Sequence, residues 1–236
     1  MRPKSMKASK KHLRPEDVPK YDNIELFPSL VWHINLGDCL TKPELKVLTD
    51  SLKEKNVKPN LLGNSTSKNN YILDQDKLKD FKEHLTAHCI NFFDYTEHPP
   101  DAKGLYITQS WTNLNVKHDQ HGQHSHANSM ISGVYYFQAC EDDCIMFHHP
   151  WRRSLQLLVY TEHFDKYNAM SWRVPVKTND LILFPSWLQH SVPKKEHSGA
   201  RMSLAFNTFY KFPLGSADTL TELKDVEWKD LEWSRN

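Results

Sequence analysis

Between residues 105 and 210 the chain breaks into short runs rich in Val, Ile, Tyr, Trp and Phe. They fall at 105–116, 131–138, 144–148, 155–161, 171–176, 181–184 and 201–210, with turn residues between them. Runs this short cannot each build a helix of useful length. Strands in such close succession must pack face to face or close on themselves, which predicts a sandwich or jelly roll. Helical spacing is confined to the first hundred residues. Thr41 and Glu44 form a capping-box pair ahead of Leu45, Leu48 and Leu52. Leu78, Phe81, Leu85, Cys89 and Phe92 make a second stripe, started by Asp74 or Asp76. From Asn23 to Ile34 an opening strand bends at Pro28, and residues 54–70, rich in Asn, Ser and Lys around Gly63, read as a mobile loop. The expected class is mainly β, with helices supporting one sheet inside the same domain.

A chain of 236 residues can bury a sizeable core in one domain, and no repeat points to a solenoid or propeller. The net charge of +1 indicates no general attraction to nucleic acid or membrane. The charge is uneven, because residues 1–20 carry seven basic and two acidic side chains, a local +5 that leaves −4 on the remainder. With almost nothing to bury, residues 1–22 read as a disordered basic tail. A polyanion-binding arm would betray itself by salt dependence. Cys39, Cys89, Cys140 and Cys144 stand without a secretory signal, so free thiols in a reducing cytoplasm are expected. No apolar run is long enough to span a bilayer.

The segment GQHSHANSMISGVYYF, Gly122 to Phe137, places His124 and His126 two residues apart just before an apolar strand. Side chains at that spacing on an extended chain share a face, so both rings can reach one ion. Downstream, LILFPSWLQH brings His190 to the rim after a second apolar strand. In RMSLAFN, alternation puts Arg201, Ser203, Ala205 and Asn207 on one face and Met202, Leu204 and Phe206 on the other. The apolar set suits packing, and the polar set would line an interior where an arginine must be paired. A dicarboxylate fits the guanidinium fork, with the Ser203 hydroxyl beside it. The alternative is a structural salt bridge to an acidic side chain. Two close ligands, one distant ligand and a later arginine form the layout of a facial three-ligand iron site with an anion clamp. His118 and His121 lie in a stretch without strand character, so their rings have no fixed direction there.

The ordered set LFPSLVW, HSHANSMISGVYYF, LILFPSWLQH and RMSLAFN resembles the iron(II)- and 2-oxoglutarate-dependent oxygenases, the prolyl-hydroxylase-like jelly rolls, and within them a phage and bacterial branch. The resemblance implies a double-stranded β-helix of cupin-like form over residues 23–215, with 216–236 as a C-terminal extension. It implies Fe(II) held by His124, His126 and His190, and 2-oxoglutarate clamped by Arg201 with Ser203, with Tyr136 and Asn113 in the same pocket and Tyr135 turned away. It implies a dioxygenase that uses O2 to hydroxylate an unactivated C–H bond of an unidentified substrate and releases succinate and CO2. The setting would be the cytoplasm, or a host's cytoplasm if the chain is viral. His126 departs from the usual Asp or Glu, and Asp119 is the nearest carboxylate that could substitute. Trp111, Trp151, Trp172 and Trp187, with His148 and His149, are candidates for the substrate mouth. Two rival readings are a cupin-type metal enzyme that does not use 2-oxoglutarate and a non-catalytic metal-binding barrel.

Overall fold

The computed structural model describes residues 24–61, 63–99, 101–151, 160–211 and 213–223. The basic tail, most of the strand expected over 155–161 and the end of the C-terminal extension lie outside the described residues. Two antiparallel sheets carry the fold. The larger contains β1 (Trp32–Asn35), β2 (Val57–Pro59), β3 (Ser65–Ser67), β4 (Leu105–Asn115), β6 (Ile131–Gln138), β9 (Asp180–Pro185) and β11 (Arg201–Tyr210), in the order β1-β9-β6-β11-β4-β3-β2. The smaller contains β5 (His121–His124), β7 (Cys144–His148), β8 (Ser171–Pro175) and β10 (His190–Val192), in the order β5-β10-β7-β8. This is the jelly roll that the strand spacing predicts.

Period-two alternation gives the central strands two distinct faces. On β6, Ile131, Tyr135 and Phe137 join the core under the helices, whereas Tyr136 packs between the sheets. On β9, Leu181 and Leu183 face the helices, and Ile182 and Phe184 face the smaller sheet. Each fully buried side chain of this size contributes about 1.5–3 kcal/mol of hydrophobic stabilisation. The two helices cover the outer face of the larger sheet. In α1 (Lys42–Ser51), the Glu44 amide donates to Thr41 Oγ1 and the Glu44 carboxylate accepts from the Thr41 amide, so the capping box forms as expected. Leu48 and Leu52 are buried, but Leu45 stays partly exposed at the edge of the stripe. In α2 (Lys79–Glu97) the whole expected stripe is buried, from Leu78 to Phe92.

Three local expectations need correction. Helix α2 is not started by Asp74 or Asp76: Leu78 is its N-cap after two 3-10 turns, and the Asp74 carboxylate accepts from Lys82 Nζ at 2.6 Å instead. Residues 54–70 are not simply a loop, because β2 and β3 form a hairpin that extends the larger sheet beside β4. The Ser67 hydroxyl accepts from the buried Thr112 amide there, a tie that polar composition conceals. The opening segment becomes strand only at Trp32, after the exposed Ile24, Leu26 and Phe27.

Gly133 in β6 lies directly under the ring of the fully buried Phe206, and an added Cβ would fall inside the ring's van der Waals radius. The packed ring has nowhere to go. Gly133→Ala is therefore expected to lower stability by about 1–3 kcal/mol, an ordinary cost of overpacking. A urea midpoint equal to that of the unsubstituted protein would count against this packing.

Candidate metal and anion site

The smaller sheet brings two distant histidines into register. His124 ends β5 and His190 begins β10, and the two are direct cross-strand partners, with Phe147 of β7 on the other side of His190. His126 stands just beyond β5, where its backbone amide donates to the Ser186 carbonyl at 3.0 Å. Strand geometry alone therefore does not place the pair. The ligand atoms of His124, His126 and His190 all lie within 4.8 Å of one another, a group that could hold a metal ion.

The hydrogen bonds behind the rings set which nitrogen faces the cluster. His124 Nδ1 donates to the Gly122 carbonyl at 2.8 Å and His190 Nδ1 donates to the Leu188 carbonyl at 3.0 Å, which turns both Nε2 lone pairs inward. His126 Nε2 lies 3.3 Å from His190 Nε2. Two imidazole nitrogens bound side by side to one ion at about 2.1 Å each would sit about 3 Å apart, so the donor set fits a shared cation. Trp111 stacks on His126 at 5.7 Å between ring centroids and fixes its outer side. Asp119 is not at the cluster: its carboxylate accepts the Val116 amide at 2.9 Å and closes a turn.

His121 is the first correction at the site. It lies in β5 with a fixed orientation, stacked on His124 at 4.3 Å and 10°. The register between β5 and β10 shifts so that His121 opposes Val192 while His124 opposes His190. Three steps on one strand then match two on the other. This bulge lets residues of odd spacing face one side. His118, with φ at 76°, stays in the exposed turn near Glu196.

The larger sheet supplies the opposite wall. Arg201 of β11 pairs with Asn115 of β4, and Ser203 sits between Asn113 of β4 and Tyr136 of β6. One step further, Ala205 lies between Trp111 and Val134. Arg201, Ser203, Asn113 and Tyr136 thus line the same cavity as the three histidines. Tyr135 points the other way, against Phe81 in the helix-side core. The four polar side chains expected at the clamp are brought together by the register, and Asn115 joins them. Of the proposed mouth residues, Trp111 lines the cavity. Trp151, Trp172 and Trp187 are substantially exposed and are not among its walls, and His148 Nε2 is hydrogen-bonded to the Ser191 hydroxyl at 2.8 Å.

No carboxylate lines this cavity among the described residues, and Arg201 is its one charged wall residue. The expected alternative of a salt bridge is present in weakened form. Arg201 Nη1 lies 3.6 Å from Asp143 Oδ1 and donates to the Cys144 carbonyl at 3.5 Å. Asp143 is held more closely by Lys195 Nζ at 2.8 Å, and both side chains are only 1% exposed. Two basic side chains thus share one buried carboxylate. Arg201 Nη2 and the adjacent Asn115 Nδ2 are buried with no protein partner. Buried donors left open in this way normally have an acceptor that completes them.

Burial, which disfavours the charged imidazole, pushes His121 down to about 3, His126 to about 4 and His190 to about 3, and lowers His124 as well. All four rings are neutral at pH 7, as metal ligation requires. The unfolded chain takes up these protons near pH 6.5, whereas in the folded metal-free protein His121, His126 and His190 take theirs up only below about 4. In that window the unfolded state binds more protons, so stability falls as the pH falls. The urea midpoint of metal-free protein is expected to drop steadily from pH 7 to pH 4, and a flat profile would show that the rings protonate freely in the folded state.

Residues 109–207 match the family model described as "Putative 2OG-Fe(II) oxygenase". No curated protein matches the chain. Among solved structures, the alpha ketoglutarate dependent epimerase SnoN from nogalamycin biosynthesis aligns at a TM-score of 0.54 and 14% identity, covering 77% of this chain and 79% of its own. HygX from Streptomyces hygroscopicus, solved with nickel, 2-oxoglutarate and hygromycin B, aligns at 0.52 and 12% identity, covering 78% of this chain and 84% of its own. A Pseudomonas putida prolyl-4-hydroxylase aligns at 0.51 and 12% identity, covering 76% of this chain and 92% of its own. The chain also spans 63% of the length of a Burkholderia pseudomallei 2OG-Fe(II) oxygenase-family structure, at a TM-score of 0.42. The shared fold is the jelly roll. Among the described residues no helix is long and apolar enough to cross a membrane.

Proposed function

We propose that this chain, whose resemblance to the 2OG-Fe(II) oxygenases rests on the family match over residues 109–207, is an Fe(II)- and 2-oxoglutarate-dependent dioxygenase that hydroxylates a C–H bond of its substrate. The observation that carries the reading is the pairing, in one cavity, of a three-imidazole cluster with a buried arginine whose Nη2 has no protein partner. A metal site alone would leave Arg201 unexplained, and an anion site alone would leave unexplained three neutral rings turned inward. Hydroxylation is the reaction of the prolyl hydroxylase that shares this fold, and the same fold also carries an epimerase and a carbocyclase.

In this reading His124, His126 and His190 hold the iron, with the Gly122 and Leu188 carbonyls keeping two of the rings in the required tautomer. Bound there, iron(II) would supply the oxidative chemistry, coupling decarboxylation of 2-oxoglutarate to succinate and CO2 with transfer of one oxygen atom of O2 to the substrate. The protein's own part is position and charge. Arg201 offers its fork to the distal carboxylate, and Ser203, Asn113 and Asn115 flank it as hydroxyl and amide donors. Burial pushes the Tyr136 hydroxyl above its ordinary range, so it stays a donor at every physiological pH. Three neutral ligands leave the centre one unit more positive than a pair of histidines with one carboxylate. This favours anionic co-substrates. Anaerobic titration of the Fe(II)-loaded protein with 2-oxoglutarate tests the proposal: a weak visible charge-transfer band, and succinate on admitting oxygen, are expected. Stoichiometric iron binding with neither band nor succinate would refute it.

A further inference from the structure

The carboxylate nearest to Arg201 is held more closely by another basic side chain. Asp143 is buried in the turn before β7, where Oδ2 accepts the Cys140 amide at 2.8 Å. Its Oδ1 has three cationic or potentially cationic neighbours: Lys195 Nζ at 2.8 Å, His197 Nε2 at 3.6 Å and Arg201 Nη1 at 3.6 Å. Lys195 is fixed by its backbone, whose amide donates to the Asp119 carbonyl at 2.9 Å and whose carbonyl accepts the His118 amide at 2.7 Å. That anchoring ties the lysine to the turn closed by Asp119, five residues beyond His190. In the absence of the ammonium, the guanidinium could close the gap of under 1 Å and take Asp143 as a full ion pair, since arginine prefers bidentate carboxylates. The pocket would then be neutral before any ligand arrives.

We propose that Lys195 is a positioning residue for the co-substrate: by holding Asp143 it keeps Arg201 free to receive the distal carboxylate of 2-oxoglutarate. The inference rests on the function proposed above, and binding rather than turnover tests it. Calorimetric titration of 2-oxoglutarate into protein loaded with Ni(II), which holds the site without turnover, reads the affinity directly. Lys195→Met is expected to weaken 2-oxoglutarate roughly 10- to 100-fold, the scale of losing a charge-assisted hydrogen bond. It should leave 2-oxobutyrate, which lacks the second carboxylate, little changed. The double variant Lys195→Met with Asp143→Asn removes the competing anion and should recover most of the loss. A merely structural role for Lys195 predicts no such recovery. Equal affinities in the unsubstituted protein and Lys195→Met, or a double variant as weak as the single one, would overturn the proposal. Should Lys195→Met fail to fold, the double variant carries the test, because it removes one cation and one anion and keeps the net charge of the Asp143–Lys195–Arg201 cluster unchanged. Binding clearly weaker than that of the unsubstituted protein then overturns it. Absence of 2-oxoglutarate binding by the unsubstituted protein would instead remove the proposed function itself.

Discussion

Replacing His190 by alanine is expected to abolish stoichiometric iron(II) binding while leaving the β-sheet content intact. The ring sits at the centre of the smaller sheet's row, between His124 and Phe147, and is 4% exposed. Removing an outer-shell partner of a metal ligand typically costs 10- to 100-fold in affinity, and loss of the ligand itself should exceed that. Truncation also leaves a small cavity beside Phe184, whose ring packs on His190 at 4.6 Å between centroids. Stability should therefore fall by an amount within the usual 0.5–3 kcal/mol of single substitutions. Iron titration followed by calorimetry, with circular dichroism as the fold control, separates the two effects. Folded protein that still binds one iron at unchanged affinity would remove His190 from the site. His126→Asp is a useful contrast, because it retains a ligand atom while lowering the charge of the loaded centre by one.

The second large effect concerns Arg201. Arg201→Met should weaken 2-oxoglutarate binding by about 2–5 kcal/mol, roughly 30-fold to several-thousand-fold, as expected when one partner of a buried charge pair is truncated. The fold should tolerate the change. Without the guanidinium, Asp143 and Lys195 remain a close pair of opposite charge, and replacing a buried ion by an apolar group of similar volume is often neutral or stabilising. Arg201→Lys is not expected to rescue binding, since a single ammonium cannot reproduce the planar fork. The decisive comparison is with 2-oxobutyrate, whose affinity should barely change. An equal loss for both acids would mean that Arg201 shapes the cavity without reading the distal carboxylate.

Much of the site could be read from local pattern. Strict alternation in RMSLAFN separated Arg201 and Ser203 from Met202 and Leu204, and the structure sends these sets to opposite faces of β11. Tyr135, which the resemblance turns away from Tyr136, packs against Phe81 on the helix side. Short-range order of this kind survives folding because a buried strand cannot slip by one residue without exposing its apolar face. His121 escaped the same reasoning, because its spacing from His124 is wrong for a regular strand and only the bulge opposite β10 turns it inward. Asn115, Asp143 and Lys195 were equally silent. Nothing in the polarity of ACEDDCI, residues 139–145, distinguishes a buried aspartate from a solvated turn, and the lysine's role depends on a carboxylate fifty-two positions away.

The sequence by itself determined the strand periodicity, the two helical stripes and the identity of the side chains that each strand can offer to one face. These follow from the fixed geometry of an extended chain or a helix, which repeats over a few residues. Only the tertiary structure decided that His124 and His190 are cross-strand partners, that β11 sets Ser203 between Asn113 and Tyr136, and that Lys195 takes Asp143 and leaves Arg201 Nη2 open. Register between distant strands and the sharing of buried charge depend on how the whole chain excludes water, and no local rule carries that information.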